Sequence, residues 1–318
     1  MRILRVSRSG SLPVRGAAVA VGNFDGVHLG HRRVVETART LAERLGAPLG
    51  VVTFEPHPRE VVSPADAPRR LTPFARKAAL LRSLGVRLLF VLRFDRSLMG
   101  LAPAEFVERV LHRRLGARAV AVGENFRFGH RRSGTPAALA ALARPLGMAV
   151  AVVERVTVEG APCSSTRIRE LLARGEIALA NRLLGEPFEL WGGVVRGDGL
   201  GRRLGFPTAN LRPAGRRPVV PGAGIYVVRA AVRGGSGWRF HPAVASLGTR
   251  PAVGGGDFRI EVHLLDANPD LYGKRLRVVF LDRIREERDF PSLESLTRQM
   301  AEDCRRARTY FGLLGARG

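Results

Sequence analysis

Gly22-Asn23-Phe24-Asp25-Gly26-Val27-His28-Leu29-Gly30-His31 decides the fold because of what flanks it. Before it runs Ala17-Ala18-Val19-Ala20-Val21, whose unbroken apolar character predicts a buried strand. After it, Val34, Ala38, Leu41 and Leu45 share one helical face, and Gly46 supplies the stop. A strand, a glycine-bearing turn and a helix, in that order, begin a parallel α/β sheet. The first turn of such a helix carries unpaired N–H groups and the positive end of the helix dipole, which suits a phosphate. Gly30, lacking a Cβ, lets the bound group come close to the backbone. His28 and His31 admit three roles: phosphate donors, helix caps or metal ligands. A metal needs a third ligand, for which only Asp25 stands nearby, and no HExxH spacing occurs. The pattern points first to a nucleotide phosphate.

Outward from this stretch, strand and helix alternate. Strands are expected at residues 49–54, 86–92, 119–122 and 148–153. Helices are expected from Thr72-Pro73 to Gly85 with Thr72 as N-cap, from Pro103 to Gly116, and over 136–146. Ser164-Ser165-Thr166-Arg167-Ile168-Arg169 then opens a helix carrying Leu171 and Leu172. Its hydroxyls, helix start and guanidinium groups make a second polyphosphate clamp or, read alone, an ordinary capped helix with arginines in solvent.

From residue 191 the texture changes. Short β-rich runs (191–195, 225–232, 259–265, 276–281) alternate with Gly- and Pro-rich turns, as in an antiparallel sheet or barrel. Helical spacing returns over 292–310, with Leu293, Leu296, Met300, Cys304 and Ala307 on one face. The boundary is expected at Gly185-Glu186-Pro187, giving domains 1–186 and 187–318. Between Gly197 and Asn210 the glycines allow the backbone to wrap a polyphosphate. Thr208 and Asn210, two apart on an extended segment, offer oxygen ligands to Mg²⁺. The Gly-Lys-Ser/Thr ending of a Walker loop is missing.

Composition sets limits. A chain of 318 residues with 45% hydrophobic content fits a soluble two-domain protein. No apolar run approaches the roughly 20 residues of a membrane span, and the N-terminus lacks a signal-peptide pattern. Cys163 and Cys304 are the only cysteines, which excludes a disulfide framework and fits the cytoplasm. The net charge of +24 raises a polynucleotide partner, and a basic nucleic-acid-binding protein is the rival from a different class. Of the 52 basic residues, however, only Lys77 and Lys274 are lysines, and the arginines are dispersed. No basic tail or aromatic-interleaved platform accompanies them. Anionic small ligands fit the charge equally well, and no specific nucleic acid or membrane partner is expected.

The HxGH and SSTxIR elements resemble the nucleotidyltransferase superfamily. GNFDGVHLGH, Thr53-Phe54-Glu55-Pro56-His57-Pro58 and Val122-Gly123-Glu124-Asn125-Phe126-Arg127-Phe128-Gly129 resemble the FMN adenylyltransferase module of bacterial bifunctional riboflavin kinase/FAD synthetases. The resemblance implies that Gly22, Phe24, Asp25, His28, Gly30, His31, Ser164, Ser165, Thr166 and Arg169 bind ATP, with His28, His31 and Arg169 acting in catalysis. It places Phe54, Pro56, His57, Pro58, Asn125, Phe126 and Phe128 at the flavin; the plainer alternative makes Phe126 and Phe128 core residues and Pro56 and Pro58 turn residues. In the second half, Pro207-Thr208-Ala209-Asn210 resembles the riboflavin kinase motif, followed in that module's order by Gly224-Ile225-Tyr226, Leu247-Gly248-Thr249-Arg250-Pro251, Glu261–Asp266 and Asp270-Leu271-Tyr272-Gly273. The resemblance implies ATP contacts from Gly201, Arg202, Gly205, Pro207, Thr208, Asn210 and Tyr226, Mg²⁺ at Thr208 and Asn210, and Glu261 as the base, with His263 supporting it or competing for that role. Ser246, Ala252 and the glycines at 254–256 depart from the family pattern. The implied fold is an α/β parallel-sheet, Rossmann-like nucleotidyltransferase domain followed by an antiparallel six-stranded β-barrel with a C-terminal helix. The implied activities are riboflavin to FMN and FMN to FAD, using ATP, in a monomer or weak homo-oligomer. Closer rivals are a chain with only one active domain and an aminoacyl-tRNA synthetase; the latter lacks its lysine-rich partner loop here.

Overall fold

The computed structural model describes residues 1–6, 15–234, 237–249, 258–265 and 267–315. Arg250, Pro251, Ala252, residues 254–256 and Asp266 lie outside these. By backbone proximity the chain divides into two compact units, Met1–Ser165 and Thr166–Gly318.

In the first unit, strands β1 (Arg2–Val6), β2 (Ala18–Val21), β3 (Leu49–Glu55), β4 (Leu88–Arg93), β5 (Ala119–Gly123) and β6 (Ala149–Val153) form one sheet in the order β1-β4-β3-β2-β5-β6. Every neighbouring pair is parallel. Strand β2 shows why its sequence is apolar throughout. Val19 and Val21 enter one hydrophobic cluster, while Ala18 and Ala20 enter another on the opposite face. Helix Leu29–Arg44 packs Val34, Val35, Ala38 and Ala42 into that second cluster. Because β3 flanks β2 on one side and β5 on the other, the crevice beyond the end of β2 is the switch point where open α/β sheets bind ligands. The Gly22–His31 stretch lies there.

Three local features differ from expectation. Strand β1 escapes the sequence reading because Arg2 and Arg5 interrupt its apolar residues, yet it pairs along its whole length with β4. The expected 103–115 helix is wound as a short α-helix, Pro103–Glu105, continued by a π-helix, Phe106–Arg114. Thr72 does not cap its helix. Pro73 occupies the cap position, and the Thr72 hydroxyl is turned instead toward Asp25 and Gly26.

A two-stranded ribbon, β7 (Thr157–Val158) with β8 (Ala161–Pro162), precedes helix Ser165–Ala173 and then helix Ile177–Leu184. The second unit is a closed antiparallel barrel of β9 (Glu189–Val195), β10 (Ala209–Pro213), β11 (Gly224–Gly234), β12 (Gly237–Thr249), β13 (Phe258–Leu264) and β14 (Arg275–Arg285), ordered β10-β13-β12-β11-β14-β9. β10 and β12 carry Pro213 and Pro242, which mask their strand character in sequence. The helical residues just before the barrel bond to it. Gly222 N–H donates to the Leu172 carbonyl at 2.9 Å, and the Asn181 amide donates to the Phe280 carbonyl at 2.9 Å. The C-terminal helix, Leu293–Gly315, packs Cys304 and Ala307 against Ile225, Val227, Val244 and Ile284. Leu293, expected on the same buried face, is 57% exposed, because the first turn overhangs a cleft.

Candidate active sites

Beyond β2 the backbone passes through Phe24 (φ 51°), Gly26 (φ 90°) and Val27 (φ 44°). A left-handed β-branched residue is a strained one, costing on the order of 1–3 kcal/mol. The surroundings hold it. Both Asp25 carboxylate oxygens accept from Leu71 N–H, at 3.1 and 3.2 Å, and one also accepts from Thr72 N–H at 3.2 Å. Gly26 N–H donates to the Thr72 hydroxyl at 3.2 Å. Asp25, 2% exposed, is thus a latch that shapes the turn. That use suits a carboxylate better than facing phosphates of its own sign. Phe24 is 1% exposed and backs His31, ring centroids 5.2 Å apart.

His28 is the N-cap of helix Leu29–Arg44, its Nδ1 accepting from His31 N–H at 3.3 Å. The capping and phosphate roles are therefore compatible. With Nδ1 an acceptor, the proton of a neutral imidazole resides on Nε2, the other edge of the ring. The His28 and His31 rings stack at 3.6 Å with 18° between planes. A Cβ at Gly30 would stand 3.2 Å from the His28 ring, so a side chain there would press on it. The Ser165 hydroxyl donates to the Asp25 carbonyl at 2.9 Å, holding Ser165 at the turn. Ser164 precedes it. Thr166 and Arg169 follow on the same helix, in the second unit. Among the described residues no group of three His, Cys, Asp or Glu side chains is placed to hold a metal.

The flavin candidates divide into frame and surface. Phe54 and Phe128 are buried in the core, and Phe126 stacks on Phe128 at 5.6 Å. His57 is buried and caps helix Pro58–Val62 by accepting from Arg59 N–H at 3.2 Å. Pro56 and Asn125 are exposed, and Pro58 is half-buried. Only this last group, with the partly covered Phe126, presents surface to a ligand.

In the second unit a cleft of about 530 Å³ lies between the barrel and the C-terminal helix. Leu204, Phe206, Ile225, Val244, Leu296 and Met300 supply apolar wall, and Glu261, His263, Ser246 and Arg259 supply polar groups. A second, smaller cleft is lined by Arg202, Pro207, Ala209, Val262 and residues 267–272. Thr208 borders both. Its hydroxyl is 3.4 Å from Glu261 Oε2. Glu261 faces Asn210 across the β10–β13 pairing. His263 Nδ1 is 2.9 Å from the Pro207 carbonyl, which ties it to the segment that carries Thr208.

The glycines leave specific space. A Cβ at Gly197 would collide with the Asn210 amide. One at Gly201 would meet the Phe206 carbonyl, with Thr208 Oγ1 at 3.1 Å. Because backbone cannot yield as a side chain can, Gly201→Ala is expected to destabilise the second unit by about 1–3 kcal/mol of overpacking. A lowered midpoint in thermal melting checks this. Gly205 takes φ 85°, a conformation that suits glycine in the same loop. Tyr226 is not at either cleft. It is fully buried, its hydroxyl donating to the Gly222 carbonyl at 2.6 Å, because alternation on β11 turns it away from Ile225, which lines the larger cleft.

Sequence reading missed the far wall of that cleft. Arg285 holds the buried Asp303 through three contacts of 2.8–3.1 Å. Glu287 carries a carboxyl raised above its usual range by burial and by Asp289, partly offset by Arg285. Gly248, where a Cβ would overlap the Glu287 carboxylate, was the available signal. Cys304 also borders the cleft, but burial pushes its thiol up to about 11. The thiolate exists only as pH approaches that value. At pH 8, thiol-reagent titration is expected to find Cys304 reacting about 100-fold more slowly than an ordinary cysteine.

Residues 13–167 match the FAD synthetase family and residues 184–311 the riboflavin kinase family. The bifunctional riboflavin kinase/FMN adenylyltransferase of Escherichia coli strain K12 is 40% identical over 314 residues, covering 98% of this chain and 99% of that protein. The Pseudomonas fluorescens protein of the same description is 43% identical over 295 residues, covering 92% and 93%, and that of Bacillus subtilis strain 168 is 36% identical over 303 residues, covering 94% and 93%. A crystal structure described as a macrolide-efflux protein from Streptococcus pneumoniae shares the fold with a TM-score of 0.85 and 30% identity, covering 96% of this chain and 98% of that one. Among the described residues no helix is long and apolar enough to cross a membrane. The two matched domains, in this order and over nearly full-length relatives, place the chain in the family of bifunctional riboflavin kinase/FMN adenylyltransferases.

Proposed function

We propose that the C-terminal barrel phosphorylates riboflavin with ATP to give FMN, and that the N-terminal α/β domain adenylylates FMN with a second ATP to give FAD and pyrophosphate. We assign the functional division to residues 186/187, just inside the riboflavin kinase match that begins at residue 184, whereas backbone proximity divides the chain after Ser165. The observation that carries the kinase reading is the meeting of two unequal clefts at Thr208, with Glu261 3.4 Å away. The larger, mostly apolar cleft suits a tricyclic isoalloxazine, and the smaller suits the nucleotide. Glu261 then accepts the proton of the terminal ribityl hydroxyl as the hydroxyl oxygen attacks the γ-phosphorus, the bond to the β-phosphate bridging oxygen breaks and ADP departs. Arg202, Gly201 and Gly205 are assigned to the ATP phosphates.

Mg²⁺ fits this donor set. Thr208 and Asn210 offer neutral oxygens, the hard ligands that Mg²⁺ accepts beside substrate phosphates. When bound, it would neutralise charge on the transferring phosphoryl group.

Adenylyl transfer needs no activated side-chain nucleophile, since the FMN phosphate is already an anion. It attacks the α-phosphorus in line, and pyrophosphate departs. His28 Nε2–H, His31, Ser165, Thr166, Arg169 and the N–H groups at the start of the helix are assigned to the charge that develops there. Pro56, Pro58, Asn125 and Phe126 are assigned to the flavin.

Riboflavin, FMN, FAD and ATP are the partners of this reading, without a specific nucleic acid, in a cytoplasmic monomer or weak homo-oligomer. The small number of cysteines, both buried, and the dispersed arginines support it. Chromatography of flavins after incubation with riboflavin, ATP and Mg²⁺ is expected to show FMN and then FAD. Absence of either product would remove the corresponding half of the proposal.

A further inference from the structure

Lys77 lies on helix Phe74–Ser83 and is fully buried. It is one of only two lysines in a chain with 52 basic residues. Its ammonium has three protons and meets three acceptors: the Asn23 carbonyl at 3.2 Å, the Thr53 hydroxyl at 3.3 Å and Glu55 Oε1 at 2.8 Å. The Thr53 hydroxyl donates in turn to the Asn23 carbonyl at 3.1 Å. Asn23 belongs to the phosphate turn, and Glu55 opens the flavin loop. One charged group therefore spans both.

The neighbouring segment 70–72 makes the same span. Arg70 reaches Glu55 at 2.6 Å and Glu60 at 3.0 Å, while Leu71 and Thr72 latch Asp25. A buried ammonium is costly unless paired and hydrogen-bonded, and here it is both. Burial lowers the Lys77 pKa, and Glu55 opposes that shift. The planar fork of arginine does not direct three donors at a pyramidal set of acceptors, which accounts for a lysine in so arginine-rich a chain.

We propose that Lys77 is a positioning residue for FMN adenylylation, fixing the phosphate turn and the flavin loop relative to each other. The inference rests on the assignment of FMN adenylylation to the first unit. In-line attack is sensitive to such placement: a misplacement of about 1 Å costs on the order of 100-fold in rate.

The test uses full-length Lys77→Met and the charge-balanced double variant Lys77→Met/Glu55→Gln. Measured are FMN adenylylation kcat and KM per folded molecule, riboflavin phosphorylation on the same chain, and thermal melting. Both variants are expected to lose about 30- to 100-fold in adenylylation kcat. The KM for ATP should stay within about threefold, well below the effect expected of a misplaced reacting group, and riboflavin phosphorylation should be retained. Lys77→Arg is expected not to restore the rate. A folded double variant with kcat within about threefold of wild type, where misplacement predicts far more, overturns the inference and leaves Lys77 a purely structural residue. If neither methionine variant folds, Lys77→Arg is judged by the same threshold. Wild-type protein that makes no FAD from FMN contradicts the underlying assignment instead.

Discussion

Glu261→Gln is expected to stop riboflavin phosphorylation, with kcat falling about 10²- to 10⁴-fold, while FMN added from outside is still converted to FAD. Glutamine matches the shape of glutamate and preserves packing between β13 and Thr208, but it cannot accept a proton. The loss would therefore report chemistry and not collapse of the cleft. His263 would remain on the Pro207 carbonyl, 2.9 Å away, keeping Thr208 in place. The readout is flavin chromatography from two starting points, riboflavin and FMN. Near-normal FMN formation by the variant would take the proton-accepting role from Glu261.

The complementary result is expected of His28→Ala with His31→Ala: FMN accumulates and FAD formation falls. Loss of one preorganised donor to developing charge costs about 10²- to 10³-fold. Two rings stacked at 3.6 Å act as a unit, so their losses should not simply multiply. His28 also has a structural role, since it caps helix Leu29–Arg44 by accepting from His31 N–H. Removing that cap costs about 1 kcal/mol in stability. His28→Asn separates the two roles. Asparagine can cap, so melting should recover, but it offers no donor where Nε2 stood, so FAD synthesis should not. Recovery of activity together with melting would make His28 a structural cap alone.

Much of this was legible because it depends on local pattern. The apolar continuity of Ala18–Val21 and the glycine-bearing turn after it specify a central parallel strand with a helix start, and the structure has both. The spacing of Thr208 and Glu261 along the chain gave no hint of their 3.4 Å approach; family resemblance alone associated them before the barrel did. What sequence could not reveal is long-range pairing. Thr72 looks like an N-cap because its neighbours suit one, yet a carboxylate 47 residues away claims it. Tyr226 sits in a motif rich in site residues, but strand alternation turns it inward. Lys77 carries no motif at all, and only burial beside Asn23 and Glu55 marks it. The proline-containing strands, β10 and β12, close the barrel through partners that periodicity does not disclose.

The central claim is that one chain performs two different transfers from ATP. Following phosphorus labels tests it most directly. Wild-type protein is incubated with riboflavin and ATP labelled at either the γ- or the α-phosphate, and FMN and FAD are isolated. The γ-label should appear in FMN and persist in FAD, whereas the α-label should appear in FAD and never in FMN. Label from the α-position in FMN, or FAD formed without it, would contradict a phosphoryl transfer to riboflavin followed by an adenylyl transfer to FMN.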